Sequence, residues 1–314
     1  MKKIWIVLLF AMCNCVVYAD VIREISVAEL NETIIPAIEN AENLLLNLEI
    51  EFEVSGQQKP LGSAKWEDSG FYANVKLLSE GKKKGKIKID VFSEKLVGDV
   101  INEKSYAISY DGKKGKKLSH GKSSKGKMSK IKECTILSSR SDTIRSEMVA
   151  ELYSNPFMLN YLVEGFDIPF SEYLKRLTEA KAASSFEGSI NIKLAEFEGT
   201  ECLFVQMEVE GIIRTTYWLD PARNYAPLAY ENINWDNDGK EMVIPFIKVL
   251  EFEKVSEDIW FPVKTQAETN TGGAKIRKIF KVSKVRVNIK DLKDEDFDLD
   301  IPSDYKTIDK TVKK

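Results

Sequence analysis

A repeated alternation of apolar and polar residues constrains the fold more than any other feature of this sequence. Between residues 46 and 54, a large apolar residue occupies each even position, and asparagine or glutamate occupies each odd one. This period of two is typical of a β-strand with one buried face. Similar runs recur, with short connections, at 71–77, 87–91, 106–110, 203–209, 212–219, 226–234, 243–252, 260–269 and 275–289. The sequence therefore predicts an α+β protein with an antiparallel meander of about 10–11 strands.

The last of these segments changes its phase. Its apolar residues are even-numbered at Phe280 and Val282 but odd-numbered at Val285 and Val287. One extra residue near Ser283 would return the apolar side chains to the same face, so we expect a β-bulge there.

Helix signals precede the first strand. Ser26 and Glu29 have the spacing of a capping box, in which each side chain bonds to the backbone amide of the other residue. The pattern predicts a helix from Ser26 to about Asn43, with a kink or break at Pro36.

A helical insertion at about residues 155–183 interrupts the strands. Pro156 stands at the first position of a predicted helix that runs to about Glu164. Ser171 is positioned to cap a second helix that ends near Ala183.

The amino terminus has the pattern of a secretory signal peptide. Lys2 and Lys3 precede an apolar run, and Ala19 ends a small-residue cleavage site. No later stretch approaches the roughly 18 apolar residues of a membrane span. We expect residues 1–19 to be removed and the protein to be periplasmic or otherwise exported, without spanning a membrane. Residues 20–301 would form one domain, and residues 302–314 a charged tail.

Charge is distributed unevenly along the chain. The whole chain has a net charge of −3, or −5 without residues 1–19, which excludes a globally basic nucleic-acid binder. Residues 81–132 contain sixteen lysines and five acidic residues, whereas residues 291–309 contain eight acidic residues and two lysines. The basic segment is consistent with solvated hairpins or with a surface for anionic headgroups or polysaccharide. The acidic segment would dock loosely on these hairpins. The candidate contacts to an anionic surface are Lys113, Lys114, Lys116 and Lys117.

The residues that catalysis usually requires are scarce. The one histidine, His120, stands in a predicted Lys/Gly/Ser-rich loop, where a solvated surface role is the ordinary one. No nucleophile, metal or phosphate-loop motif occurs, so we predict no catalytic residues, no metal site and no cofactor. A carboxylate pair of the glycosidase type stays open as a weaker alternative. Cys134 and Cys202 form either a disulfide or two buried free thiols.

The stretch from Tyr217 to Glu231 is the most informative motif. It reads as a strand, a turn and a return strand, in which Asp220 accepts turn amides and Pro221 presets the bend. The pattern resembles a hairpin of the LolA/LolB-like outer-membrane lipoprotein-sorting proteins, the lipoprotein carriers. Other segments look like motifs of the same family: Ser109–Lys113, Ile259–Lys264 and Asp296–Pro302.

This resemblance implies a strongly curved, unclosed half-barrel of antiparallel strands with helices packed on its concave face. In the carriers of this family, the enclosed apolar cavity holds the acyl chains of a lipoprotein. The apolar stripes of the predicted strands supply the candidate lining of such a cavity: Leu48, Ile50, Phe52, Val205, Met207, Trp218, Phe246 and Trp260.

One feature of the family is missing from the first half of the chain. The carriers hold their helical lid shut with an arginine on an early strand, but no arginine occurs here between Arg23 and Arg140. Arg214 is a candidate for that role, or it forms an ion pair at the edge of the core.

The sequence thus predicts an exported, non-enzymatic binding protein that carries or senses a lipid or lipoprotein acyl chain in a bacterial envelope. The expected partners are that acyl chain and, beyond it, an anionic membrane surface or envelope proteins, with no nucleic acid. The alternative is an envelope scaffold or interaction protein that has the same fold without a ligand cavity.

Overall fold

The structure, a computed structural model, describes residues 20–45, 47–81, 85–97, 100–123, 131–137, 169–182, 188–235, 241–243, 246–257, 259–271 and 273–311. Its helices are α1 (Val27–Glu29), α2 (Ile35–Leu44) and α3 (Phe170–Ala182), with a π-helical turn (Leu30–Ile34) between α1 and α2. Its strands are β1 (Asp20–Glu24), β2 (Leu48–Pro60), β3 (Glu67–Glu80), β4 (Lys86–Val97), β5 (Val100–Tyr110), β6 (Gly115–Ser123), β7 (Ile131–Leu137), β8 (Ser189–Phe197), β9 (Thr200–Val209), β10 (Ile213–Asp220), β11 (Ala226–Trp235), β12 (Glu241–Val243), β13 (Phe246–Ser256), β14 (Ile259–Thr271), β15 (Ala274–Val287) and β16 (Lys306–Asp309).

All of these strands belong to one curved, unclosed sheet. Its order is β1-β8-β9-β10-β11-β13-β14-β15-β2-β3-β4-β5-β6-β7-β16, with β12 paired to β11 off this path. Neighbouring strands run antiparallel except β7 and β16, which are parallel. The predicted antiparallel sheet is confirmed, and so is the bulge, because the register of β15 against β2 shifts between Val282 and Lys284.

The predicted number of strands is corrected from about 10–11 to the sixteen found in the described residues. β6 has the sequence GKKLSHGKS, in which Leu118 is the one large aliphatic residue, so no alternation marks it. Backbone pairing with β5 and β7 makes it a strand, and it places His120 on a strand where a loop was predicted. β1, β12 and β16 have three to five residues each, too few to show a period.

The first helix begins as predicted but departs from the capping box. The hydroxyl oxygen of Ser26 accepts the backbone N–H of Glu29 at 3.0 Å. The Glu29 carboxylate does not return this bond and instead pairs with Arg23 of β1 at 2.5 Å. Pro36 lies in the first turn of α2, just after the π-helical turn. Proline lacks an N–H and crowds the carbonyl four residues before it, and a wider turn accommodates both effects.

Two predicted segments lie outside the described residues: the signal peptide at 1–19 and the helix at 155–164. The second helix of the insertion is observed as α3. Within the described part of the chain, no helix is both long and apolar enough to cross a membrane.

The main core lies on one face of the sheet, which we call the helix-bearing face. Buried residues of α2 and α3, such as Ile38 and Leu174, form one cluster with strand residues such as Ile50, Phe52 and Val205. A smaller cluster lies on the opposite face of β8–β13. Its members are Ala195, Phe197, Cys202, Phe204, Trp218, Leu228 and Ala229, with Phe246 and Phe252 packed against them.

The acidic segment near the carboxyl terminus packs against the basic hairpins. Phe297 is fully buried. Asp294 pairs with Lys86 at 2.6 Å and Asp298 with Lys116 at 2.5 Å, and Lys132 pairs with Asp304. The tail predicted from residue 302 onward contains β16, which adds a strand beside β7.

A buried carboxylate joins three strands on the opposite face. Glu49 of β2 is 6% exposed, and its carboxylate contacts Lys76 of β3 at 3.0 Å. It also contacts Lys284 and Arg286 of β15, at 2.9 and 3.0 Å. Burial alone would raise the pKa of Glu49, but hydrogen bonds from Lys284, Lys76 and Arg286 outweigh it and lower this pKa to about 2.

This lowered pKa predicts how stability depends on pH. The pKa of Glu49 is below its ordinary value of 4.5 in the folded state, so its ion pairs stabilise the fold above about pH 4.5. Their contribution is lost as the pH falls toward 2. We expect Glu49→Gln to lower the free energy of unfolding by about 1–3 kcal/mol at pH 7.

Urea denaturation of both proteins from pH 7 to pH 2.5 measures this difference, which shrinks as the pH falls. Glu53→Gln is the matched control, because Glu53 is exposed on the same strand and the same face. A Glu49→Gln difference that stays constant over this pH range would contradict the assignment.

The two described cysteines are buried free thiols. Burial raises the pKa of the Cys134 thiol. Burial, together with the nearby carboxylates of Asp220 and Glu201, raises the pKa of the Cys202 thiol to about 12. A chain that begins at Asp20 should therefore react slowly with Ellman's reagent at pH 8 and show two thiols in guanidinium without reductant. No thiols in guanidinium would mean that the cysteines are bridged.

Candidate functional site

A small cavity lies where the two helices meet the β10–β11 hairpin. Its lining includes Ile38 and Glu42 of α2, Phe170 of α3, Tyr217 of β10 and Trp260 of β14. The cavity volume is about 40 Å³, which is room for a few water molecules and no more. This point is the junction of three parts: the helices, the hairpin and the start of β14.

A buried hydrogen-bonded pair holds the helices together beside this cavity. Glu42 of α2 is 5% exposed, and its Oε1 accepts the backbone N–H of Ser171 at 2.9 Å. Its Oε2 accepts the hydroxyl of Ser171 at 2.6 Å. Ser171 was predicted to cap α3, but it lies in the first turn, and the carboxylate from α2 satisfies its amide. A negative charge at this end of α3 is also favoured by the helix dipole.

Aromatic side chains connect α3 to the sheet. The ring of Tyr217 lies 4.7 Å from that of Phe170, 6.0 Å from that of Tyr173 and 4.9 Å from that of Tyr230. The hydroxyl of Tyr173 donates a weak hydrogen bond to the sulfur of Met207 at 3.8 Å. Burial raises the pKa of Tyr173 to about 12, so this hydroxyl stays protonated at neutral pH.

The β10–β11 hairpin has the predicted turn and an unpredicted arginine. Asp220 Oδ1 accepts the backbone N–H of Ala222 at 2.9 Å, as the sequence indicated. Arg223 pairs with the other carboxylate oxygen of Asp220, and its guanidinium lies 5.0 Å from the Phe252 ring and 5.4 Å from the Trp260 ring. The next two residues have positive φ values of 55° and 58°, a costly conformation for side chains larger than glycine.

The candidate ligand-binding residues divide between the two faces of the sheet. Leu48, Ile50, Phe52 and Val205 are buried in the helix-bearing core, and Met207 is half-buried against it. Trp260 lies at the cavity.

Trp218 and Phe246 lie elsewhere, on the opposite face, with ring centroids 6.3 Å apart. The reason is strand phase: Tyr217 pairs with Val205 and Tyr230, so the next residue faces the other way. A role in ligand binding stays a prediction for all eight residues.

The four candidate surface lysines do not form one patch. Lys113 and Lys114 are exposed in the β5–β6 turn, where Asp111 accepts both backbone amides at 2.8 Å. Lys116 pairs with Asp298. Lys117 lies on the other face of β6, with its amino group 6.0 Å from the Tyr106 ring. Contact with an anionic surface therefore stays a prediction for these lysines.

Glu42 and Arg223, which line the cavity, and Ser171, which bonds to Glu42, are the residues that sequence reasoning missed or misassigned. The spacing of apolar residues on α2 places Glu42 on the buried side of the helix, and this spacing could have identified Glu42 from the sequence.

Arg214, the candidate for the lid-holding arginine, lies with its guanidinium 5.8 Å from the Trp235 ring. Among the described residues, no three His, Cys, Asp or Glu side chains are grouped so that they could hold a metal ion.

Many solved structures match this chain, and two of them show how low the identity is. One is a domain of an outer membrane lipoprotein-sorting protein from Vibrio parahaemolyticus, with a TM-score of 0.41 and 13% identity, covering 85% of this chain and 96% of that one. The other is a beta-barrel-like protein, a domain of unknown function from Brucella abortus, with a TM-score of 0.32 and 11% identity over 78% of this chain and 99% of that one. No family model and no curated protein sequence matches the chain.

Proposed function

We propose that this is an exported protein that binds the acyl chain of a lipid or lipoprotein between its sheet and the helices α2 and α3. The observation that carries the proposal is a continuous apolar layer beneath both helices, contributed by strands from both halves of the chain. In this proposal the helix-bearing face is the concave one, and the helices form a lid over it. The lipoprotein-carrier motifs of the sequence support the same reading.

The apolar layer suits a ligand that needs no polar recognition. Burying an acyl chain contributes about 0.8 kcal/mol per methylene group, so a chain of moderate length supplies useful affinity by area alone. Met207, which is half-buried beside Tyr173, adds an adaptable side chain to this layer. The chemistry requires no nucleophile, base or metal, so the proposal includes no catalytic step.

A lipid can enter only if the lid moves. The present cavity of about 40 Å³ holds water and not an acyl chain. The Glu42–Ser171 pair makes α2 and α3 one unit, while the ring contacts of Phe170 and Tyr173 with Tyr217 join that unit to the sheet. The ring contacts can separate without leaving a buried charge unpaired, whereas separation of α2 from α3 would leave the Glu42 carboxylate without its partner. Displacement of the lid as one body therefore has the lower free-energy cost.

The small volume of the cavity beneath the helices also favours a second function, that of a scaffold without a ligand cavity. If the helices fill the sheet permanently, the protein is an envelope scaffold that contacts partners through its surface. The filled core around Leu174 and Ile50, both fully buried, is the observation that favours it.

Binding of a fluorescent fatty acid, such as dansyl-undecanoic acid, tests the first function. We expect saturable binding at micromolar protein by the chain that begins at Asp20. Phe170→Leu removes the ring contact between the lid and Tyr217 of the sheet, so it should lower stability by about 1 kcal/mol and raise the apparent affinity several-fold. The affinity rises because the open, binding-competent state becomes more populated.

Lys175→Ala is the matched control. Lys175 lies on the same helix as Phe170, and its ion pair with Glu39 of α2 at 3.5 Å joins two side chains that are about half exposed, so the pair contributes little. Its affinity should equal that of the unmodified protein. If neither the unmodified protein nor Phe170→Leu binds the probe saturably, lipid binding is wrong and the scaffold function stands.

A further inference from the structure

An open trough crosses the face of the sheet opposite the helices. Its volume is about 560 Å³, and it extends over strands β3 to β6. Tyr305, which lies just before β16, forms part of its wall. The trough is separate from the cavity beneath α2 and α3, because the two have no lining residue in common and the floor residues Lys76, Asp90 and Phe92 face away from the helices.

Strand register arranges the floor of the trough in two rows. One row runs from Asn74 through Phe92 and Ser105 to His120, each paired with the next across neighbouring strands. The other row runs in the same way through Lys76, Asp90, Ala107 and Leu118. Four strands at a spacing of about 4.8 Å make the floor about 14 Å long, which suits an extended ligand.

The trough has little net charge although it lies in the most basic part of the chain. The amino group of Lys76 is paired with Glu49 at 3.0 Å and Glu51 at 3.4 Å. Burial raises the pKa of Asp90, an effect that Lys88 and Lys76 partly offset. Among the described residues that line the floor, the lysine is Lys76 and it is paired, so charge does not favour a nucleic acid or an anionic headgroup.

Hydrogen-bonding groups on the floor are free to meet a ligand. Within the described residues, the carboxylate of Asp90, the hydroxyl of Ser105 and the ring of His120 have no hydrogen-bond partner. Beside them, the Phe92 side chain is 40% exposed, so its ring is open to contact with a ligand. The trough thus combines an exposed aromatic ring with a carboxylate, a hydroxyl and an imidazole that can form hydrogen bonds.

We infer that this trough binds a neutral oligosaccharide strand. Sugar hydroxyls donate to the carboxylate of Asp90 and exchange hydrogen bonds with Ser105 and His120. The C–H faces of the sugar rings pack on Phe92 and Tyr305. An open, extended floor accepts a section of a longer chain, whereas a small metabolite would be held better by an enclosed pocket.

Isothermal titration with two soluble probes, chitotetraose and cellotetraose, tests this inference on the chain that begins at Asp20. We expect at least one probe to bind saturably with a dissociation constant of about 1 mM or lower. Asp90→Asn and Phe92→Ala should each weaken that binding about tenfold or more, through loss of a charged hydrogen bond and of the aromatic platform. Lys95→Ala is the matched control, because Lys95 is exposed on the other face of the same strand, and it should leave binding unchanged.

The circular dichroism spectrum of each variant is compared with that of the unmodified protein to check that the variant is folded. The inference is overturned if neither probe binds with a dissociation constant below about 10 mM, or if both Asp90→Asn and Phe92→Ala bind as the unmodified protein does. It is equally overturned if neither probe binds but vesicles of phosphatidylglycerol bind and lose their binding in Phe92→Ala, because the trough then serves a membrane surface.

Discussion

The pairing of β2 with β15 is the constraint on which the rest of this structure depends. Its register runs from Leu48 opposite Val287 to Pro60 opposite Ala274, so it joins segments from the two ends of the chain. Through it, the block from β3 to β7 and the block from β8 to β14 become one sheet. Since side chains alternate across a sheet, this one register decides which residues of both blocks share a face.

Both faces are reinforced where these two strands meet. On the helix-bearing face, the rings of Phe52 and Phe280 lie 6.2 Å apart across the seam. On the opposite face, Glu49 holds Lys284 and Arg286 of β15. Apolar packing and an ion-pair network thus act on the same two strands from opposite sides. A slip of one residue would bury the charges and expose the rings, so the seam has one stable register.

Strands in which apolar and polar residues alternate were predicted from the sequence. Strands that are defined only by backbone pairing with their neighbours were missed. The 46–54 pattern led to β2, and the phase change near Ser283 led to a real bulge. β6 could not be found in this way, because its Lys-, Gly- and Ser-rich sequence has no apolar side to alternate.

The face on which a side chain lies was predicted correctly where the phase of the strand is clear, and wrongly where two adjacent residues are both large and apolar. Leu48, Ile50, Phe52 and Val205 reach the predicted core because their segments have an unambiguous phase. In β10, Tyr217 and Trp218 are both large and aromatic, so composition does not tell which one faces the helices. The Glu42–Ser171 pair joins residues 129 positions apart, and only the tertiary arrangement of α2 and α3 brings them together.

The parallel pairing of β16 with β7 has a consequence for how the molecule matures. In antiparallel order, β7 would end one side of the sheet with a row of unpaired amides and carbonyls, a template for association with another chain. Lys306–Asp309 cover that row, and Tyr305 beside them completes the trough wall. These residues are synthesised long after β7, because all strands from β8 to β15 stand between the two in the chain. The sheet border at β7 therefore stays open to association until residues 305–309 are synthesised, and its protection arrives together with a part of the trough wall.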